Sequence, residues 1–281
     1  IACGDFHSGC IVEGMVLIWG RGEDGQCGQG NKNNLDVPTV VSELYSVKAI
    51  DLALGMWHSI VLTEEGQLYS FGSGMYGQLG HGDTNEQLKP KKVDFFSNNQ
   101  VIKISAGSGH TACITSAGQL YCWGLGIYGQ IGNNERSNVS IPTLITSLTG
   151  VKDIVCGSNH SLAQLNSGKV YSWGAGSYGR LGLKEEREEA TPKEITFFED
   201  KTVRVISAGG NQSACVCAHQ WVPDKDSIQC MHCHANFTFT RRRHHCRYCG
   251  GLFCGSCTTK RIAVLRFGIT KPVRVCDFCH S

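Results

Sequence analysis

Between Cys230 and Cys279 the chain carries four Cys-x2-Cys pairs: Cys230/Cys233, Cys246/Cys249, Cys254/Cys257 and Cys276/Cys279. A Cys-x2-Cys turn brings two sulfurs to one metal, so eight thiolates in this spacing suit two tetrahedral zinc ions. Only four residues separate Cys249 from Cys254, which is short for adjacent pairs to wrap one ion. The spacing favours a cross-brace: Cys230, Cys233, Cys254 and Cys257 on one zinc, and Cys246, Cys249, Cys276 and Cys279 on the other. Four disulfides are the competing use of the same residues. Clustered pairs in a chain with no visible signal peptide point instead to metal and a reducing compartment.

Among these pairs sits Arg241-Arg242-Arg243-His244-His245-Cys246-Arg247-Tyr248-Cys249-Gly250. Arginine forks pair bidentately with phosphate, and protonated histidines beside them add donors. A loose basic run would suit nucleic acid or a localisation signal. Here the cluster is wedged against metal ligands, so its donors are held in place. That favours a compact, multiply charged head group over a long polymer.

A second set of chemistry-bearing residues recurs through the first 219 positions. His7, His58, His110 and His160 each end a Gly-x-x-His after an apolar start, at spacings of 51, 52 and 50. An aromatic-Gly pair follows at Trp19-Gly20, Phe71-Gly72, Trp123-Gly124 and Trp173-Gly174. Next comes Gly-Gln/Arg-x-Gly at Gly25–Gly28, Gly77–Gly80, Gly129–Gly132 and Gly179–Gly182. Histidine titrates near neutrality, which suggests catalysis. A residue recurring in every unit beside a strand is better read as a structural hydrogen-bonding group that ties one unit to the next. The eight cysteines of this region, from Cys3 to Cys217, are scattered and suit apolar packing. Lys184 to Glu189 reads as a solvated loop.

These residues need two kinds of framework. Residues 1–219 hold sixteen Lys and Arg against twenty-one Asp and Glu, a net of −5, and 31 of the 35 glycines. Residues 220–281 hold ten against three, a net of +7, with five of the eleven histidines. Two domains of different chemistry follow, at 1–217 and 220–281. In the first, alternating runs such as Gln67–Phe71, punctuated by Gly and Asn turns, predict four short strands per unit, the signature of a β-propeller blade. A fifth unit, Ile206–Val216, begins in register but carries Gln212 in place of histidine. In the second, some sixty residues with few apolar positions need metal to fold. No apolar run approaches the ~18–20 residues of a membrane span. Ile1 is no initiator, so the chain reads as a fragment or a processed form.

The Gly-x-x-His, Trp-Gly and Tyr-Gly-Gln-Leu-Gly pattern resembles the regulator of chromosome condensation repeat, which implies a seven-bladed propeller. Four units and part of a fifth leave such a ring incomplete by about 150 residues at this period. Over 220–280, Trp221-Val222-Pro223-Asp224, Arg242–Gly250 and Arg274-Val275-Cys276, with the four cysteine pairs, resemble the FYVE domain. That resemblance implies a reader of phosphatidylinositol 3-phosphate, cytoplasmic and peripheral on early endosomes. It implies that Arg242, Arg243, His244, His245, Arg247 and Arg274 contact the head-group phosphates. Asp224 would then accept from inositol hydroxyls, and Trp221 would pack beneath the module's N-terminal segment. Phe239 and Thr240 match a tip that enters the bilayer interface, with Phe237 inside, although extended backbone would put Phe237 and Phe239 on one face.

The chain as a whole is therefore expected to be mainly β: a partial propeller and a two-zinc module, acting as a non-enzymatic adaptor. The propeller would bind a protein partner, and guanine-nucleotide exchange on a small GTPase is the rival reading. A RING-like ligase fits less well, because all eight metal positions are cysteine. The net-acidic propeller argues against nucleic acid. One aromatic and a few charges give reversible recruitment, so tight attachment needs a weak homodimer or the propeller's partner. Only Ala218-His219-Gln220 separates the last repeat strand from Trp221, so the domains are expected to sit close together.

Overall fold

The computed structural model describes residues 1–199, 201–218 and 221–280. It divides into two compact units, Ile1–Val216 and Cys217–Ser281. The expected tight junction falls on His219 and Gln220, which lie outside the described residues.

The first unit is a series of antiparallel four-stranded sheets. Blade 1 comprises Ala2–Cys3, His7–Val12, Met15–Gly20 and Leu35–Val40. Blade 2 comprises Ala49–Leu54, His58–Thr63, Leu68–Gly72 and Gln87–Lys92. Blade 3 comprises Val101–Ala106, His110–Thr115, Leu120–Gly124 and Val139–Leu144, and blade 4 Val151–Cys156, His160–Leu165, Val170–Gly174 and Glu189–Glu194. Each is a meander in which neighbours in sequence pair. The fifth unit supplies two strands, Val203–Gly209 and Gln212–Cys217. The result is a partial propeller, not a closed one.

Cross-strand register explains why histidine and aromatic-Gly recur together. In all four full blades the repeat histidine faces the glycine: His7 opposite Gly20, His58 opposite Gly72, His110 opposite Gly124 and His160 opposite Gly174. The residue after the histidine faces the aromatic: Ser8 and Trp19, Ser59 and Phe71, Thr111 and Trp123, Ser161 and Trp173. The second strands of blades 2 and 3 are buried along their whole length, since both faces meet neighbouring blades. The hydrophobic core is accordingly shared between blades; one cluster joins Val16 and Ile18 to Val61 and Phe71.

Phe71, Trp123 and Trp173 are fully buried, each against the Gly-x-x-Gly loop of the preceding blade. A Cβ on Gly80 would stand 2.8 Å from Trp123 Nε1, and one on Gly132 2.7 Å from Trp173 Nε1; both glycines are left-handed, at φ +79° and +88°. Trp19 is only half-buried. At the other end, the fifth unit shows two strands among the described residues, with no third-strand aromatic among them. A hollow of about 500 Å³ opens there between Leu181, Ile195, Phe198 and Ile206.

Four of the propeller cysteines are buried as expected, Cys27, Cys113, Cys122 and Cys156, whereas Cys3 is exposed. The acidic loop is exposed but not merely solvated. Arg187 pairs with Glu185 and Glu189, and Arg136 of blade 3 reaches Glu188.

The second unit has little regular structure. His244–His245 pairs with Leu252–Phe253, Lys260–Val264 pairs with Ile269–Val275, and a helical turn spans Asp277–His280. Its core consists largely of cysteine: Cys230, Cys246, Cys254, Cys257 and Cys276 around Phe253, Val264 and Val275. Among the described residues no helix is long and apolar enough to cross a membrane.

Candidate metal centres and basic recess

The repeat histidines build a relay between blades. His7 Nε2 lies 2.9 Å from Ser59 Oγ, His58 Nε2 2.9 Å from Thr111 Oγ1, His110 Nε2 3.0 Å from Ser161 Oγ and His160 Nε2 2.8 Å from Ser213 Oγ. Each hydroxyl donates its one hydrogen to the loop carbonyl of the blade before: Gln26, Gln78, Gln130 and Arg180, at 2.7 to 2.9 Å. The hydroxyl oxygen is thus left to accept, so the imidazole donates from Nε2. Trp123 and Trp173 indoles donate to the same carbonyls of Gln78 and Gln130, at 2.9 Å.

Glycine stands three residues before each histidine because a Cβ at Gly107, for example, would overlap the His110 ring. Burial pushes His7 and His160 down to about 4, and His58 and His110 to about 3. These rings are buried and neutral, and each commits its Nε2 to a bond between blades, which marks them as structural. The hydroxyl after each histidine was not singled out in the sequence, although Ser8, Ser59, Thr111, Ser161 and Ser213 occupy one register.

The fourth junction departs from the pattern at two positions together. Arg180 stands where the other loops carry glutamine, and Gln212 where the other units carry histidine. Arg180 donates to Ser177 O and Asn211 Oδ1, both at 2.8 Å.

The cysteines form two groups of four, Cys230/Cys233/Cys254/Cys257 and Cys246/Cys249/Cys276/Cys279, whose sulfurs lie within 4.8 Å of one another. Tetrahedral zinc at ~2.3 Å from each sulfur requires sulfurs ~3.8 Å apart. Cys233 and Cys254 sulfurs are 3.8 Å apart, Cys254 and Cys257 3.6 Å, and Cys249 and Cys276 4.0 Å. The donor set fits two zinc ions in the interleaved pairing. Backbone amides serve the sulfurs as well: Cys254 N–H donates to Cys230 Sγ at 3.3 Å and Tyr248 N–H to Cys246 Sγ at 3.4 Å. The Ser256 hydroxyl and then the Cys257 amide hold Cys254 down at about 6, favouring the thiolate the metal needs.

The basic motif divides over two places. Arg241, Arg242 and His244 line an open recess of about 600 Å³ with Thr238, Thr240, Cys254, Gly255 and Ser256. Burial, then Arg274, Arg242 and Arg247, lower the His244 pKa, so these cations crowd the same ring. Arg274 reaches Thr258 Oγ1 at 3.5 Å. Arg243 turns elsewhere: its guanidinium covers the Phe237 ring at 4.9 Å and reaches Ser227 O at 3.5 Å. His245 Nε2 donates to Val222 O at 2.7 Å and lies 3.7 Å from Asp224 Oδ1.

Trp221 packs against two residues of the basic motif. Its ring stands 4.7 Å from that of His245, with the Arg247 guanidinium 4.2 Å above it, and 43% of it remains exposed. Cation–π contact with Arg247 holds it on the outside.

Phe239 is 90% exposed, whereas Phe237 packs against the zinc core. The alternation expected of extended backbone fails because the chain turns here: Thr238 N–H donates to Arg241 O at 3.1 Å, and Arg241 N–H to Thr238 Oγ1 at 3.0 Å. Thr240 lines the recess, its hydroxyl 3.2 Å from that of Thr238.

A propeller of these repeats with a two-zinc cross-brace defines the class, and comparison with known proteins agrees. Residues 1–222 match the family model of the RCC1-like domain, and residues 220–281 that of the FYVE zinc finger. The chain belongs to the RCC1-like domain family and carries a FYVE zinc finger after the propeller. It is 42% identical over 141 residues to the E3 ubiquitin-protein ligase HERC2 of Mus musculus, covering 50% of this chain and 3% of that protein. It is 36% identical over 154 residues to the ultraviolet-B receptor UVR8 of Arabidopsis thaliana, covering 54% of this chain and 35% of that one. Among solved structures it resembles Prp20p from Saccharomyces cerevisiae with a TM-score of 0.70 and 28% identity, over 80% of this chain and 56% of that chain. The chain thus spans a minor part of these two curated relatives.

Proposed function

We propose that the chain is a non-enzymatic adaptor that binds phosphatidylinositol 3-phosphate on the cytoplasmic face of early endosomes, with the propeller engaging a protein partner. The observation carrying this reading is the recess that gathers Arg241, Arg242 and His244 against a zinc-ligand turn, next to the exposed Phe239. Arg242 and His244 meet the 3-phosphate, with Arg247 and Arg274 behind them. Arg243 braces the tip through Phe237, and swings to phosphate only by leaving that ring. Asp224 accepts from inositol hydroxyls while His245 and Trp221 fix its neighbourhood. Zinc, when bound, supplies rigidity: it locks the thiolate turns on which the basic side chains stand.

Phe239 enters the bilayer interface, and Thr240 faces the head group. Burying one phenylalanine contributes about 1.5–3 kcal/mol, and each nearby arginine about 1 kcal/mol at an anionic surface. Together these correspond to millimolar-to-micromolar attachment, which a protein-bound propeller or a weak homodimer raises by avidity. The test is binding of the full chain to liposomes carrying each monophosphorylated inositide. Selective binding to the 3-phosphate, lost in Arg242→Ala, supports the reading; equal binding to all isomers removes it.

The likeness to Prp20p, whose solved structure is described with its binding to Gsp1p and histones, supports a protein-binding propeller. It also motivates a second reading, nucleotide exchange on a small GTPase at the same membrane. Nucleotide release measured across a panel of GTPases tests it, and rates unchanged by the chain for every member eliminate it.

A further inference from the structure

The recess has two walls of opposite electrical character. Arg241, Arg242 and His244 line one part of it, and the zinc-ligand turn Cys254-Gly255-Ser256 lines another. The turn lies against the histidine: a Cβ on Gly255 would stand 3.6 Å from His244 Nε2. Ser256 is exposed, with its Oγ 3.0 Å from Cys254 Sγ. A metal-bound sulfur is a thiolate and has no hydrogen to give, so the serine hydroxyl donates to it. The one hydrogen of Ser256 is therefore committed, and the side chain offers only oxygen lone pairs to the recess. Behind it, four thiolates around one divalent ion leave two negative charges uncompensated.

Lone pairs on such a wall accept from a sugar hydroxyl and repel a phosphate. We propose that Ser256, backed by the zinc–thiolate cluster, is a specificity-determining residue that admits a singly phosphorylated inositide head group and turns away one carrying a second phosphate. This rests on the recess being the head-group site argued above. A cation here would instead meet the second phosphate, and an added anion would strengthen the exclusion. One unit charge at ~4 Å in a water-exposed site is worth about 1 kcal/mol, or roughly fivefold in relative affinity.

The experiment compares the zinc-loaded chain of residues 1–281 as wild type, Ser256→Lys and Ser256→Asp. Liposomes carry phosphatidylinositol 3-phosphate, the 3,4-bisphosphate or the 3,5-bisphosphate, and metal content is measured in parallel. With two zinc ions retained, Ser256→Lys should narrow the preference for the monophosphate over at least one bisphosphate by roughly fivefold. Ser256→Asp should widen it. Opposite shifts cannot come from a general loss of fold. Ratios unchanged in both variants, or shifted in the same direction, overturn the role of Ser256 while leaving the head-group site standing. A wild type that ignores the monophosphate overturns the site itself, and this inference with it.

Discussion

Acid should loosen the propeller through its four buried histidines. Each is neutral in the fold, with its pKa pushed by burial from 6.5 to about 3 or 4. In the unfolded chain each regains its ordinary value and takes up a proton below it. The folded pKa is the lower one, so the stability these rings contribute is fully present above pH ~6.5 and lost as pH falls toward 4 and then 3. Between pH 7 and 5 the loss is about 2 kcal/mol per ring, and about 8 kcal/mol for four, against a typical total of 5–15 kcal/mol. His110→Gln installs the residue that the fifth unit already carries at this position, Gln212. The measurement is urea unfolding followed by tryptophan fluorescence between pH 5 and 6.5; four of the five tryptophans lie before residue 217. Removing one ring should reduce the slope of stability against pH by about 1.4 kcal/mol per unit at the acid end, with terms shared by both proteins cancelling. An unchanged slope in His110→Gln would refute the relay of neutral rings.

Metal analysis should find two zinc ions per chain, and chelation should unfold residues 220–281 while leaving the propeller transition in place; loss of both transitions together would contradict independent cores. Phe239→Glu should weaken liposome binding at least tenfold yet spare soluble head group, as read by calorimetry, whereas equal loss of both would place Phe239 in the fold. Trp123→Ala should cost the propeller about 3–5 kcal/mol, because it empties a socket and removes the indole bond to Gln78. Lipid affinity should fall from pH ~6 to ~8, since burial and Arg274, Arg242 and Arg247 keep His244 neutral at pH 7 until a phosphate raises its pKa; a flat profile would show that His244 binds without charge.

Much of this was legible in the residues themselves. A Cys-x2-Cys turn is local geometry, so eight thiolates and the four-residue gap between Cys249 and Cys254 already pointed to two interleaved metals. The repeat was equally open to reading, because each unit must reproduce the same turn, the same buried aromatic and the same close approach of glycine. What the spacing could not disclose is which groups meet across about fifty residues of sequence. His58 reaches Thr111, and Thr111 reaches back to Gln78, only once neighbouring blades pack face to face.

Within the zinc module, pattern identified a basic cluster but not its division. Arg242 and Arg243 are adjacent in sequence, yet one lines the recess and the other covers Phe237, because the turn at Thr238–Arg241 aims successive side chains apart. Ser256 carried no motif at all; it matters through the sulfur it touches. Sequence alone thus determined the ligands, the period and the sign of the charge, since each depends on composition over a few residues. Tertiary structure alone decided which donors face the same space, since that depends on how distant turns are held together.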